Sequence, residues 1–276
     1  MNKSLINHHI HSNGSDGRCS PSELAEAALK KRLSFICFVD HNPRPYAQPW
    51  GEEFFSKEYL DQIRKVQKKF KGKLDISFGI EIDWTEEHQE FFKQQIKQFK
   101  FDYVLGSVHL IKGDDGEYFG INFSKDIFVK GVSKMGIERI VREYYRQIRL
   151  AVDSELFDCM AHLDVIKCLN LDNQFFNEKD NFYREEVIKT LDKISEKGIA
   201  IEINTSGLIY GCKSMFPSEW ILVEANKRKI PITIGADTHW VERIDAGLEE
   251  AYELARKVGY KEILKFKNRK PIKIKI

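Results

Sequence analysis

Short apolar runs alternate along the chain with longer stretches whose apolar residues recur at helical spacing. The apolar runs at Leu5–Ile10, Ser34–Val39, Leu74–Ile80, Tyr103–Val108, Leu156–Ala161, Ala200–Ile203 and Pro231–Gly235 are bounded by polar, Gly or Pro positions. That is how strands buried on both faces read. Helical patterns lie between them, near Lys57–Phe70, Glu87–Gln98, Gly136–Ser154, Asn181–Lys197, Ser218–Lys229 and Glu242–Val258. An earlier helix opens at Ser20-Pro21-Ser22-Glu23, with Ser20 as N-cap and Pro21 at the first helical position. Lys197-Gly198 and Val258-Gly259 predict helix stops with a left-handed glycine.

Strand and helix alternating in this way predict a parallel α/β architecture. The length of 276 residues suits one barrel domain spanning residues 1–276, and no repeat or linker interrupts it. Two segments fit less simply. Lys112–Lys134 is the longest stretch without clear periodicity, and reads either as a lid or wall of a site or as a surface excursion. Pro271–Ile276 reads as a terminal strand with one solvated face, the alternative for the basic run Lys265–Lys275 being a polyanion-binding tail.

Composition narrows the function classes. Lys+Arg of 44 against Asp+Glu of 42 leaves a net charge of +2, so no nucleic-acid partner is expected. The five cysteines form no CxxC pair, as in a protein of a reducing compartment, and they exclude a thiolate zinc site. No run approaches the roughly 20 apolar residues that span a membrane, and the first residues lack a signal-peptide stretch. A cytoplasmic protein with no membrane partner is expected.

The histidines carry the chemistry. His9 and His11 follow the first predicted strand, His41 the second, His109 the fourth, His162 the fifth and His239 the seventh. His8 and His88 fall outside this pattern, and His88 reads as a surface helix residue. Carboxylates join at equivalent places: Glu81 ends the third strand, Asp40 precedes His41, Asp164 follows His162 and Asp237 precedes His239. A closed parallel barrel gathers all strand C-termini on one face, so these residues would converge there. An open sheet would spread them along an edge. In His9-Ile10-His11 and in Asp237-Thr238-His239 the outer side chains share one side of an extended strand. Imidazole and carboxylate without thiolate suit Zn²⁺, Mn²⁺ or Fe²⁺.

The motifs HHIHSNGSDG, FVDHN, GIEID, GSVH, AHLD and GADTH, in this order from His9 to His239, resemble those of the polymerase and histidinol phosphatase (PHP) superfamily. The segments FDYVLGSVHLI, IERIVREYYRQI, IEINTSGL and PITIGADTH resemble its monofunctional histidinol-phosphate phosphatase branch. The resemblance implies a distorted (β/α)7 TIM-like barrel with three divalent metal ions. One ion would take His9, His11, Glu81 and Asp237. A second would take Glu81, His109 and His162, and the third Asp16, His41 and His239. Many relatives in that branch carry His at the position of Asp16, and Glu at the position of Asp40, which reads as lying behind the ligands.

The implied reaction is hydrolysis of L-histidinol phosphate, as in histidine biosynthesis, with Glu81, Asp237 and His239 at the reacting centre. Two ions would lower the pKa of a bridging water so that hydroxide exists near neutral pH. No Walker loop, GxGxxG or Ser-His-Asp signature offers another route. A small phosphorylated substrate needs cations, and Lys167, Arg44 and Arg243 stand nearest the predicted mouth. Asn204 and Ser206 are candidates for its polar groups or for holding the turn before Gly207, and Trp50, Phe54 and Phe55 for an imidazole ring or for the core. The same ligand set would serve another phosphoesterase, acting on a nucleotide, a sugar phosphate or a phosphotyrosyl protein.

Overall fold

The computed structural model describes residues 5–43 and 56–276. Along the chain, β1 (Ile6–Ile10) leads to α1 (Pro21–Lys30), β2 (Phe35–Phe38), α2 (Lys57–Phe70), β3 (Asp75–Asp83), α3 (Gln89–Gln98) and β4 (Tyr103–Ser107). A hairpin of β5 (Leu110–Lys112) and β6 (Tyr118–Gly120) follows, then α4 (Lys125–Met135) and α5 (Ile137–Asp153). The barrel resumes with β7 (Cys159–Met160), α6 (Asn181–Lys197), β8 (Ala200–Asn204), α7 (Glu219–Lys227), β9 (Ile232–Gly235) and α8 (Leu248–Lys257). A second hairpin, β10 (Glu262–Lys267) with β11 (Lys270–Lys275), comes last.

Seven strands form one parallel sheet in the order β1-β2-β3-β4-β7-β8-β9. The sheet closes on itself where Thr238 N donates to His9 O at 3.1 Å and His11 N donates to Thr238 O at 2.8 Å. The result is a nearly closed, distorted (β/α)7 barrel. Its wall is apolar because both faces of each strand are covered, the outer one by helices. Helix α5 shows the pattern: Ile140, Val141, Tyr144, Tyr145, Ile148, Ala151 and Val152 are buried at helical spacing. No helix among the described residues is long and apolar enough to cross a membrane.

The capping box read at Ser20 forms in full, Ser20 accepting from Glu23 N while the Glu23 carboxylate accepts from Ser20 N at 2.8 Å. Gly198 closes α6 in the left-handed region, as Lys197-Gly198 predicts. Elsewhere the chain departs from its pattern. The segment Lys112–Lys134 holds β6 and most of α4 rather than an irregular loop. Its periodicity is faint because β6 has three residues and α4 buries only Phe128 and Gly131. The predicted helix Glu242–Val258 breaks into a single 3₁₀ turn and α8, because Gly247 enters α8 at φ +71°. Leu156–Ala161 contracts to a two-residue strand, since the Asp158 carboxylate accepts Val104 N at 2.8 Å beside the backbone ladder.

The basic C-terminal run folds under the barrel floor. Phe266 packs on Tyr103 with ring centroids 5.1 Å apart. Arg269 clasps Asp158 at 2.9 Å and donates to Leu156 O at 2.7 Å, while Lys267 Nζ and Asn268 N both donate to Asp102 at 3.0 Å. Lys265 pairs with Asp75 at 2.8 Å. Lys265, Lys267 and Arg269 therefore face carboxylates at the feet of β3, β4 and β7.

Candidate metal centre

A bulge aims the first ligands. Asn7 pairs with Ile36 but Ile10 with Phe38, so β1 fits three steps against two of β2. The Asn7 carboxamide replaces the disturbed ladder: its Oδ1 accepts His9 N and Ala236 N, both at 3.0 Å, and its Nδ2 donates to Ile244 O at 2.9 Å. Beyond the bulge, His9 Nε2 and His11 Nε2 lie 2.9 Å apart. Each is 3.2 Å from Glu81 Oε2 and 3.5 Å from Asp237 Oδ1. Asp237 reaches this position from a turn at φ +50°, braced by Ser206 Oγ at 3.1 Å and Asn204 Nδ2 at 3.4 Å.

The other oxygen of Glu81 turns to a second cluster. Its Oε1 is 3.2 Å from His162 Nε2, which is itself 3.2 Å from His109 Nε2. Asp83 bonds His109 Nδ1 from behind and accepts the Ser107 hydroxyl at 3.2 Å. A third cluster gathers around Asp16, with His11 Nδ1 at 3.4 Å, His41 Nε2 at 3.9 Å and His239 Nε2 at 3.1 Å. Asp40 anchors the loop that carries Asp16, accepting Ser12 N, Ser12 Oγ and Ser15 Oγ at 2.7 Å each, as well as the Tyr59 hydroxyl.

Could these residues hold metal? Among the described residues, three sets bring one ligand atom each to within 4.8 Å of one another: His9, His11 and Asp237; His11, Asp16 and His41; Glu81, His109 and His162. Within the first and third sets, imidazole nitrogens face each other at 2.9 and 3.2 Å, close enough for one cation to take a lone pair from each. His162 Nδ1 is buried without a hydrogen-bond partner among the described residues. Burial alone would lower the His9 pKa, but Glu202, Asp237 and Glu81 outweigh it and raise it well above the ordinary imidazole value. For His239 burial is likewise outweighed, by Asp16 and Asp237, and its pKa rises to about 9. Burial would raise Glu81, yet His41 and His9 bring it well below the usual carboxylate range. A potential that draws protons onto buried imidazoles equally favours a divalent cation, so the donor set fits one.

The residues expected to meet substrate fare differently. Lys167 is 3 % exposed and its ammonium is committed to Asp164 at 2.8 Å, Met215 O at 3.1 Å and the Ser218 hydroxyl. All three donors are used internally, so its placement as a phosphate ligand is corrected: it ties the loop after β7 to the start of α7. Asn204 and Ser206 are buried and brace Asp237. Arg243 stays partly exposed beside the Trp240 ring, 5.9 Å from its centroid, and Trp240 in turn flanks His239. Arg44, Trp50, Phe54 and Phe55 lie outside the described residues. His88 sits at the end of a 3₁₀ turn with its ring against the Thr85 hydroxyl at 2.8 Å.

Three functional residues escaped the sequence reading: Asn7, Asp83 and Glu202. Each stands behind a histidine rather than beside an ion, and only the strand-end position of Asp83, two residues after Glu81, offered a signal.

A model of the PHP domain matches residues 7–206. A probable histidinol-phosphatase of Deinococcus radiodurans is 32% identical over 255 residues, 91% of this chain and 92% of that protein. The histidinol-phosphatase of Bacillus subtilis is 28% identical over 236 residues, covering 79% and 86%. The crystal structure of histidinol phosphate phosphatase from Lactococcus lactis, complexed with zinc, L-histidinol and phosphate, superposes with a TM-score of 0.76 at 24% identity, covering 98% of this chain and 99% of that one. Its fold is the barrel described above. With the domain model spanning most of the barrel and a relative above 30% identity along nearly the full length, the chain belongs to the PHP domain family.

Proposed function

We propose that the protein is a metal-dependent phosphomonoesterase that hydrolyses L-histidinol phosphate to L-histidinol and phosphate, as a cytoplasmic enzyme of histidine biosynthesis. The convergence of imidazoles and carboxylates from six of the seven barrel strands at the C-terminal face carries this reading. The names of its curated relatives support the substrate. His9, His11, Glu81 and Asp237 would hold one divalent ion, Glu81, His109 and His162 a second, and Asp16, His41 and His239 a third, with Zn²⁺, Mn²⁺ or Fe²⁺ as occupants. His11, which stands between the first and third clusters, is shared ground between two of them.

Ions bound there would supply Lewis acidity toward phosphate oxygens and would make water a competent nucleophile near neutral pH. The chain's own residues do the rest. Glu81 and Asp237 fix the spacing of the clusters, and the barrel wall excludes bulk water from His9, His11 and Glu81. His239 and Asp16 sit at the more open side, where a leaving group departs and a proton can be exchanged. Arg243 offers the phosphate a cation from the rim.

The test is phosphate release from L-histidinol phosphate beside nucleotides, sugar phosphates and a phosphotyrosyl peptide, using protein loaded with each metal. The expected result is strong preference for histidinol phosphate, lost on chelation. Activity on other monoesters alone would discard the substrate and keep the chemistry.

A further inference from the structure

Behind His9 stands a buried carboxylate. Glu202, in the middle of β8, is fully buried, and its Oε1 lies 2.8 Å from His9 Nδ1. Its Oε2 accepts Asn204 Nδ2 at 2.8 Å and His162 N at 3.2 Å. One side chain thus ties the imidazole of His9 to the backbone of His162, which sits at the unusual φ of +21°. The strand between β8 and β1, β9, leaves room for this pair: a Cβ on Gly235 would fall 2.2 Å from Glu202 Oε1 and 2.5 Å from His9 Cβ.

We propose that Glu202 is a positioning residue that holds His9 with its proton on Nδ1, so that the Nε2 lone pair faces Glu81, Asp237 and the metal centre. The proposal rests on the metal-dependent reading above. A carboxylate offers only acceptors to a neighbouring imidazole, which places the ring N–H on the nitrogen it touches. Asn204 Nδ2 lies 3.5 Å from the same nitrogen and competes weakly, because its own bond to Glu202 is shorter. Carboxylates behind metal-binding imidazoles act in this way, and losing one typically costs about 10–100-fold in metal affinity.

The surroundings make Glu202→Gln a sharp test. Asn204 cannot flip its amide, because Oδ1 already accepts the backbone N–H of Ser206 at 2.9 Å. Asn204 Nδ2 and His162 N therefore both point N–H groups at the Oε2 position. A glutamine must put its carbonyl there and its NH2 against His9 Nδ1. That NH2 opposes an Nδ1–H, so His9 can bind an ion through Nε2 only by losing a hydrogen bond.

Two readouts decide the matter. In Zn²⁺-loaded wild-type protein, ¹⁵N–¹H correlation of the histidine side chains is expected to show His9 protonated at Nδ1, with Nε2 bearing no proton. In E202Q, Zn²⁺ affinity measured against a chromophoric chelator is expected to fall about 10–100-fold. An unchanged Zn²⁺ affinity in E202Q, or a wild-type His9 protonated at Nε2, overturns the assignment. Should E202Q not fold, the wild-type spectrum alone decides. Failure of the functional reading shows separately, as absent phosphate release by loaded wild-type protein, and leaves both readouts intact.

Discussion

Replacing Gly235 by alanine adds one methyl group at the most crowded point behind the metal centre. The new carbon would sit 2.5 Å from His9 Cβ and 2.2 Å from Glu202 Oε1. Non-bonded carbons settle at about 3.5–4.0 Å, so the overlap with His9 is roughly 1 Å or more. Neither neighbour can retreat freely. His9 is pinned by Asn7 through its backbone and by Glu202 through its ring, and Glu202 has three bonds of its own. The strand must shift or Glu202 must swing away. Overpacking costs about 1–3 kcal/mol, and breaking a buried bond to a charged group about 1.5–3 kcal/mol. Together these predict a loss of about 2.5–6 kcal/mol. A chain of 276 residues unfolds with roughly 0.6 kcal/mol/K of entropy at its midpoint, so Tm should fall by about 4–10 °C. Differential scanning calorimetry of metal-free wild-type and variant protein measures this, and chelator competition measures the accompanying loss of Zn²⁺ affinity. A variant melting within about 1 °C of wild type, with Zn²⁺ affinity intact, would refute the claim that this space is reserved for the His9–Glu202 pair.

Other substitutions separate ligand, brace and floor. Glu81→Gln keeps the volume but removes the carboxylate that meets His9, His11, His41 and His162. Turnover should fall by at least about 10³-fold, the several kcal/mol of transition-state charge stabilisation that bound ions supply, while circular dichroism stays native; full activity in a metal-analysed sample contradicts the bridging role. Lys167→Met strands the buried Asp164 carboxylate and should cost about 3–5 kcal/mol in urea denaturation. Inhibition by inorganic phosphate should be unchanged in that variant, because the ammonium does not reach the mouth. Arg269→Ala releases Asp158 and Leu156 O on the floor, and should cost about 1–2 kcal/mol after allowing for solvent screening, with kcat/KM preserved.

Much of this architecture is legible in the residue order, for a physical reason. Strands covered on both faces are short and apolar, and a parallel barrel places their C-termini together, so polar residues at run ends are already a list of neighbours. Hence His9, His11, Glu81, His109, His162, Asp237 and His239 converge as their positions suggest. Residues within strands carry no such label. Glu202 alternates with Ile201 and Ile203, a pattern equally typical of a solvated face, and nothing local reveals the histidine it meets two strands away, 193 residues distant in the chain. Lys167 shows the converse. A lysine near a site looks like a phosphate cation until its partner Asp164, three residues earlier, is seen to face it on a 3₁₀ turn. The faint pattern of Lys112–Lys134 has a plainer origin, since three-residue strands are too short to display a period.

The seam between β1 and β9 has a consequence for how the molecule reaches this state. Asn7 meets Ala236 across a sequence separation of 229 residues, and the contact of His9 and His11 with Asp237 depends on that meeting. Contacts so distant in the chain form late, because the loop entropy must be spent before they return anything. A partly assembled ring has its imidazoles on one side and its aspartate elsewhere. Cation capture by His9, His11 and Asp237 is then a property of the closed ring, and a metal ion held there would act as a latch that selects finished molecules from those still zipping up.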